Sequence, residues 1–132
     1  MKIISCPCCS GKAYTSCCGV FIEQKCLPAT PEELMRSRYT AYTKANIHYI
    51  AHTMKSPALD HFDPVAARKW AKAVNWLKLE VIFSSMVGEK GQVEFIAHFS
   101  QQGKNKVLHE LSEFRRENNK WFYVDGAHKK DN

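Results

Sequence analysis

The sequence predicts an α+β chain: three helices packed on one face of a curved four-stranded antiparallel sheet, preceded by a small cysteine-rich module. Three observations predict it. Five of the six cysteines fall between Cys6 and Cys18. Apolar residues then recur at helical spacing between N-cap and proline signals, from Thr30 to Val74. From Trp76 the period changes to two, and turn residues break it three times. With 132 residues, 45% of them hydrophobic, the chain suffices for one domain core and little more.

Residues 1–26 form the cysteine module. Cys6 and Cys8 are followed by the adjacent pair Cys17 and Cys18. Four soft thiolates across a short loop suit a tetrahedral Zn²⁺ site with no open coordination position, a structural site. Vicinal cysteines are poorly placed to bond each other, and a tight cluster in a reduced compartment binds metal more often than it forms disulfides. A redox-active thiol site is the other alternative. Gly11 and Gly19 are read as turn formers, and Pro7 stiffens the first loop. Cys9 is adjacent to Cys8 and could exchange with it as a ligand. Cys26 is read as a small buried hydrophobe, with an added ligand role as the alternative.

Residues 27–126 form the main domain. Leu27 to Thr30 is a linker ending in a helix start. Thr30 is the N-cap, Pro31 the first helical residue, and Glu33 completes a capping box. The helix runs to about Lys44 through Leu34, Met35, Tyr39 and Tyr42. Asn46 caps a second helix, to about Lys55, and Ser56-Pro57 interrupts it. Asp63 caps a third, with Pro64 first and Val65, Trp70 and Val74 near one face. Leu77, Leu79, Val81 and Phe83 then alternate as a strand. Val93 to Phe99, Val107 to Arg116 and Lys120 to Asp125 follow, with turns at 88–91, 101–105 and 117–119. Residues 127–132 read as a frayed tail.

The stretch Cys6-Pro7-Cys8, Ser10-Gly11-Lys12, Tyr14, Cys17-Cys18-Gly19 resembles the SEC-C motif. This is the zinc-binding tail of the bacterial preprotein translocase ATPase, found also in many other bacterial proteins. The resemblance implies Zn²⁺ ligation by Cys6, Cys8, Cys17 and Cys18. Cys9 stands where the motif usually has Gly. Thr30 to Tyr42, Val93-Glu94-Phe95, Leu108 to Phe114 and Trp121 to Gly126 are similar to the YchJ-type family of small bacterial proteins. Its members join a SEC-C motif to a domain similar to the nuclear transport factor 2 cone fold. Some carry a second SEC-C motif at the C-terminus; one copy is read here, so no role needing two is expected. The resemblance implies a fold and a metal, and no reaction.

A cone-like fold encloses a pocket between the concave face of the sheet and the helices, so inward polar residues are the candidates. They are Arg36, Arg38, Tyr39, Tyr42, His109, Glu110, Ser112 and Tyr123, with His98 and Asp125 also considered. On the third strand Leu108, Glu110, Ser112 and Phe114 share a face, placed inward; His109, Leu111 and Glu113 share the other. An inward Glu110 needs a partner, and Arg36 or Arg38 is the natural choice. The set serves either to fix helix against sheet or to bind a ligand. His48 and His52, four apart, lack a third ligand; Trp70 and Trp76 read as core.

Several function classes are narrowed. The main domain shows no metal trio, Gly-rich phosphate loop or nucleophile–base pair in sequence, so a catalytic role is not assigned. The net charge is +6, from 19 basic and 13 acidic residues. It permits nucleic acid, an anionic surface or an acidic protein as partner and selects none. Met1 to Ser5 lack the apolar run of a signal peptide, and no segment is long enough to span a membrane, so a cytoplasmic location is expected. The leading expectation is a zinc-bearing interaction module with a protein partner. A small-molecule-binding protein or enzyme using the concave pocket is the alternative, and nucleic-acid binding a weaker one.

Overall fold

The computed structural model describes residues 4–129. The order is a 3-10 turn (Tyr14–Ser16), α1 (Cys18–Ile22), α2 (Pro31–Thr43), α3 (Ile47–His52), a 3-10 turn (Ala58–His61), α4 (Pro64–Ala73), then β1 (Asn75–Val87), β2 (Lys90–Gln101), β3 (Lys104–Glu117) and β4 (Lys120–His128). The four strands form one antiparallel meander in the order β1-β2-β3-β4.

The helix starts follow capping chemistry. Thr30 Oγ1 accepts the Glu33 amide, Asn46 Oδ1 that of Tyr49, and Asp63 Oδ1 those of Val65 and Ala66. Glu33 reaches one residue past the expected capping-box partner, accepting from the Ala29 amide at 2.8 Å. Helix α2 is buried nearly all round, because the sheet covers one side and the cysteine module the other. Helix α3 ends at His52, short of Lys55, since Met54 leaves the helix to bridge Tyr123. On α4 the inward residues are Ala67, Trp70, Ala71 and Val74, a true i, i+3, i+4, i+7 face. Val65, five before Trp70, falls off that face and is exposed.

Three two-residue loops join the strands. Gln102-Gly103 and Asn118-Asn119 both have positive φ at the two central residues, the hairpin geometry that matches strand twist. β1 departs from simple alternation. Its register slips at Leu77 and again at Ile82, and each extra residue is turned outward, 53% and 52% exposed. The expected face of Leu77, Leu79, Val81 and Phe83 therefore breaks up: Leu79 is buried, and Phe83, past the second bulge, opposes Glu94 on the outer side. β4 continues past Asp125 to His128, taking in the first two residues expected to fray. Residues 130–132, the end of that expected tail, lie outside the described residues.

One core cluster joins Cys6, Cys8 and Cys18 to Leu34, Met35, Tyr39, Leu79, Val93, Phe95, Phe114 and Trp121. The module is thus continuous with the domain core. Gly91 lets α2 approach the sheet: a Cβ there would lie 2.2 Å from Pro31 Cγ.

Candidate functional site

Two sites stand on opposite sides of α2. The first is the cysteine cluster. A short hairpin sets Cys6 and Cys8, with Cys6 N–H donating to Lys12 O, a Ser5–Ala13 bridge, and Gly11 at φ +87° closing the turn. The 3-10 turn and α1 then present Cys17 and Cys18. Gly19 serves close approach, not a turn: it lies in α1, and a Cβ would meet Tyr14 O at 2.7 Å.

The Sγ atoms of Cys6, Cys8, Cys17 and Cys18 all lie within 4.8 Å of one another. Cys8 and Cys17 are 3.6 Å apart, Cys17 and Cys18 4.0 Å. A Zn–S bond of about 2.3 Å in a tetrahedron requires sulfur–sulfur edges of roughly 3.8 Å. The donor set fits a metal ion of that size. The electrostatics agree. Hydrogen bonding from the Cys18 thiol, then from Ser10, Cys6 and Cys17, holds the Cys8 thiol well below its ordinary value, against burial. The Cys18 thiol is driven up by that same bond to Cys8 and by burial; burial also raises Cys17. One thiolate forms readily at Cys8, and Cys17 and Cys18 ionise beside it only with a cation to offset the charge.

Cys9 stands apart from the four converging thiols. It is exposed, its thiol faces Pro7 O at 3.5 Å, and its backbone takes φ +66°, the region Gly favours. Cys26 is exposed, contrary to the buried reading, because it lies in the surface turn after α1, where its amide bonds Val20 O. The module is fastened to α2 by Arg36 Nη1 donating to Cys8 O at 2.7 Å and by Cys6 Sγ against Thr40 Oγ1 at 3.6 Å.

The second site is a cavity of about 440 Å³ between α2, α4 and the concave sheet face. Of the eight expected residues, Arg38, Tyr39, Tyr42, Glu110, Ser112 and Tyr123 line it. Arg36 and His109 do not. Arg36 is two residues from Arg38, about 200° around a helix, and pairs with Glu32 beside the cysteines. His109 alternates with Glu110 and points outward, with Nε2 2.7 Å from Glu94 Oε2. His98 likewise faces outward to Glu80. Asp125 is exposed because the β3–β4 register slips next to it; the slip puts Tyr123 and Gly126, three residues apart, on the concave side together.

Two buried charges meet at Tyr123, and they are not paired directly with each other as expected. Glu110 Oε2 accepts from Ser112 Oγ and from Tyr123 Oη. Arg38, 4% exposed, stacks its guanidinium 4.5 Å over the Tyr123 ring. Its Nη1 donates to Ile50 O and Thr53 Oγ1. Burial lowers the Arg38 pKa, while the field of Tyr42, Tyr123 and Glu110 acts to keep its charge. Burial also raises the Tyr42 and Tyr123 hydroxyls, so both are neutral donors at physiological pH. Gly126 gives the carboxylate room: a Cβ would fall 2.6 Å from Glu110 Oε2.

Sequence reasoning missed His61, Phe62 and His128 on the cavity wall, and treated Trp70 and Trp76 as filled core. The two indoles meet edge to face at 4.9 Å and form one apolar wall. The 3.6-residue pattern through Trp70 indicates burial; only tertiary structure shows that the space before it is open. Among the described residues, the four cysteines are the one group of three or more potential ligands; His48 and His52 only stack, at 4.0 Å. No described helix is long and apolar enough to cross a membrane.

Comparison with known proteins agrees with both sites' setting. Residues 30–126 match the family model described as YchJ, middle NTF2-like domain. A UPF0225 protein of Geobacter sulfurreducens is 40% identical, over 92% of this chain and 77% of its own. The solution structure of a SEC-C motif containing protein from Rhodopseudomonas palustris superposes with a TM-score of 0.88 at 38% identity, covering 96% of this chain and all of the other. A crystal structure of a SEC-C motif containing protein from Psychrobacter arcticus gives 0.77 at 28% identity, covering 96% and 83%.

Proposed function

This chain belongs to the YchJ family with its middle NTF2-like domain, and we propose from that premise that it is a zinc-stapled small-molecule-binding protein. Cys6, Cys8, Cys17 and Cys18 hold a structural Zn²⁺, and the concave cavity takes a small organic ligand. Four thiolates fill the coordination shell, so the metal supplies folding energy and not a reaction. Its mechanical role is to fix α2, the helix whose far side carries Arg38, Tyr39 and Tyr42. Reduced thiols are required for the site, which favours a cytoplasmic location.

The observation that carries the ligand reading is a buried arginine beside an apolar cavity of ligand size. Had Glu110 been saturated by arginine, or the concave face been filled, the polar set would serve packing alone. Two measurements test the proposal. Metal analysis of protein never exposed to chelator should give one zinc per chain; a stoichiometry well below one overturns the staple. A small-molecule screen by thermal shift should give hits that vanish in Ala97→Phe, which fills the cavity from β2. A screen without any such cavity-dependent hit overturns the ligand reading.

A protein partner is the second reading. It is favoured by the apolar residues exposed along edge strand β1: Leu77, Ile82, Phe83, Met86 and Val87. Nucleic-acid binding gains nothing from Trp70 and Trp76, which face the cavity.

A further inference from the structure

Resting on the pocket reading above, we propose that the cavity binds a zwitterion of the α-amino-acid class with an aromatic or other apolar side chain. The arginine fork is only half used within the protein. Both Nη1 hydrogens of Arg38 are used inside the protein, on Ile50 O and Thr53 Oγ1. The opposite edge, Nε–H with Nη2–H, has no acceptor among the described residues. No buried side-chain nitrogen or oxygen among them is left without a partner, so this edge is not sealed in protein; it opens on the cavity that Arg38 lines. Nε–H and Nη2–H are the two parallel donors that grip a carboxylate bidentately.

The opposite charge is equally incomplete. A carboxylate has about four acceptor sites. Both hydroxyl donors to Glu110 converge on Oε2, from Ser112 and Tyr123. Among the described residues Oε1 has only the His128 imidazole, at 4.0 Å. One tyrosine holds the two charges apart: Arg38 covers its ring, and Glu110 binds its hydroxyl. Apart from the His61 and His128 imidazoles and the hydroxyls of Tyr39 and Tyr42, the rest of the wall is apolar, with Trp70, Trp76 and Phe62 prominent.

The balance of charge selects the ligand. A simple anion satisfies Arg38 but enters beside the Glu110 carboxylate. A simple cation satisfies Glu110 but leaves a desolvated guanidinium edge unpaired. Each unmatched group carries a desolvation cost that a matched one does not. A zwitterion meets both, carboxylate on Arg38 and ammonium on Glu110 Oε1, and its side chain lies against the indoles.

The probe set is L-phenylalanine, phenethylamine, 3-phenylpropionate and benzyl alcohol, added to the full metal-loaded chain. Quenching of tryptophan emission is the readout, because two of the three tryptophans line the cavity. The proposal expects the zwitterion to bind at least tenfold more tightly than either singly charged analogue. Glu110→Gln should weaken phenylalanine and phenethylamine and leave 3-phenylpropionate unweakened. Arg38→Lys keeps a cation without the fork, and should weaken phenylalanine and 3-phenylpropionate while leaving the folded far-ultraviolet spectrum intact. Equal affinity for the zwitterion and either singly charged analogue overturns the proposal, as does wild-type phenylalanine affinity in Arg38→Lys. If benzyl alcohol quenches and loses that effect in Ala97→Phe while phenylalanine does not bind, the zwitterion falls and the pocket reading stands. If none of the four binds, the zwitterion falls, and the pocket reading is decided by the wider screen.

Discussion

Replacing Gly126 by alanine tests the polar centre of the cavity without touching either charge. Gly126 lies in β4 opposite Ser112, and no positive φ marks it, so the backbone accepts alanine. Taken alone, the exchange removes freedom from the unfolded chain and stabilises by about 0.4–1 kcal/mol. The new methyl carbon, however, would sit 2.3 Å from Tyr123 Oη and 2.6 and 2.7 Å from Glu110 Oε2 and Cδ. The carboxylate must swing away. It then leaves the hydroxyls of Ser112, which is fully buried, and of Tyr123 without their acceptor. Hydrogen bonds to a charged group are worth about 1.5–3 kcal/mol each, so losing two outweighs the entropic gain and leaves a net loss of roughly 2–5 kcal/mol. Urea denaturation of the metal-loaded protein at neutral pH reads it directly. The loss should shrink by more than half in a Glu110→Ala background, because two of the three close contacts vanish with the carboxylate. A Gly126→Ala protein as stable as the parent, or an undiminished loss in the double variant, would refute the reasoning.

Other predictions probe the remaining links. Gly91→Ala drives a methyl group to 2.2 Å from Pro31 Cγ, a rigid ring at the start of α2, and should cost about 1–3 kcal/mol by urea midpoint; an unchanged midpoint contradicts the close packing of helix on sheet. Cys9→Gly relieves a non-glycine residue at φ +66° and should raise stability by about 1 kcal/mol with zinc content unchanged; loss of metal would make Cys9 a ligand. Glu94, its carboxyl lowered chiefly by the His109 hydrogen bond and then by Lys129, gives stability that is fully present above its ordinary value of 4.5 and lost as pH falls through the lowered folded value. Glu94→Gln should therefore flatten the fall in urea midpoint between pH 6 and pH 3; an identical pH profile argues that the pair is idle.

What could be read from the chain divides along a physical line. Local chemistry was legible. Thr30, Asn46 and Asp63 cap helices because each offers an oxygen to its own first turn, and strand parity placed Glu110 and Ser112 inward with Phe114. The separation of Arg36 from Arg38 was also available, since two residues on a helix face nearly opposite ways; what the sequence lacked was which side met the cavity. Bulges were not legible. Leu77 and Ile82 look like strand residues, and the shift at each depends on how the edge strand twists against β2. The slip beside Asp125, which brings Tyr123 and Gly126 to one side, is of the same kind. Openness was least legible of all. Trp70 and Trp76 have the pattern of core residues, and only the distance between α4 and the sheet decides whether they fill space or line it. Cys26 is exposed although its residue type favours burial, because it stands in a surface turn after α1.

In the proposed scheme the four-cysteine metal site holds α2 in place and so builds the cavity. Amide hydrogen exchange along Pro31–Thr43, compared before and after removal of the metal by a strong chelator under reducing conditions, tests it most directly. The account predicts that protection across Arg36 to Tyr42 collapses on metal removal and returns when zinc is restored. Unchanged protection of that helix in the metal-free protein would contradict it.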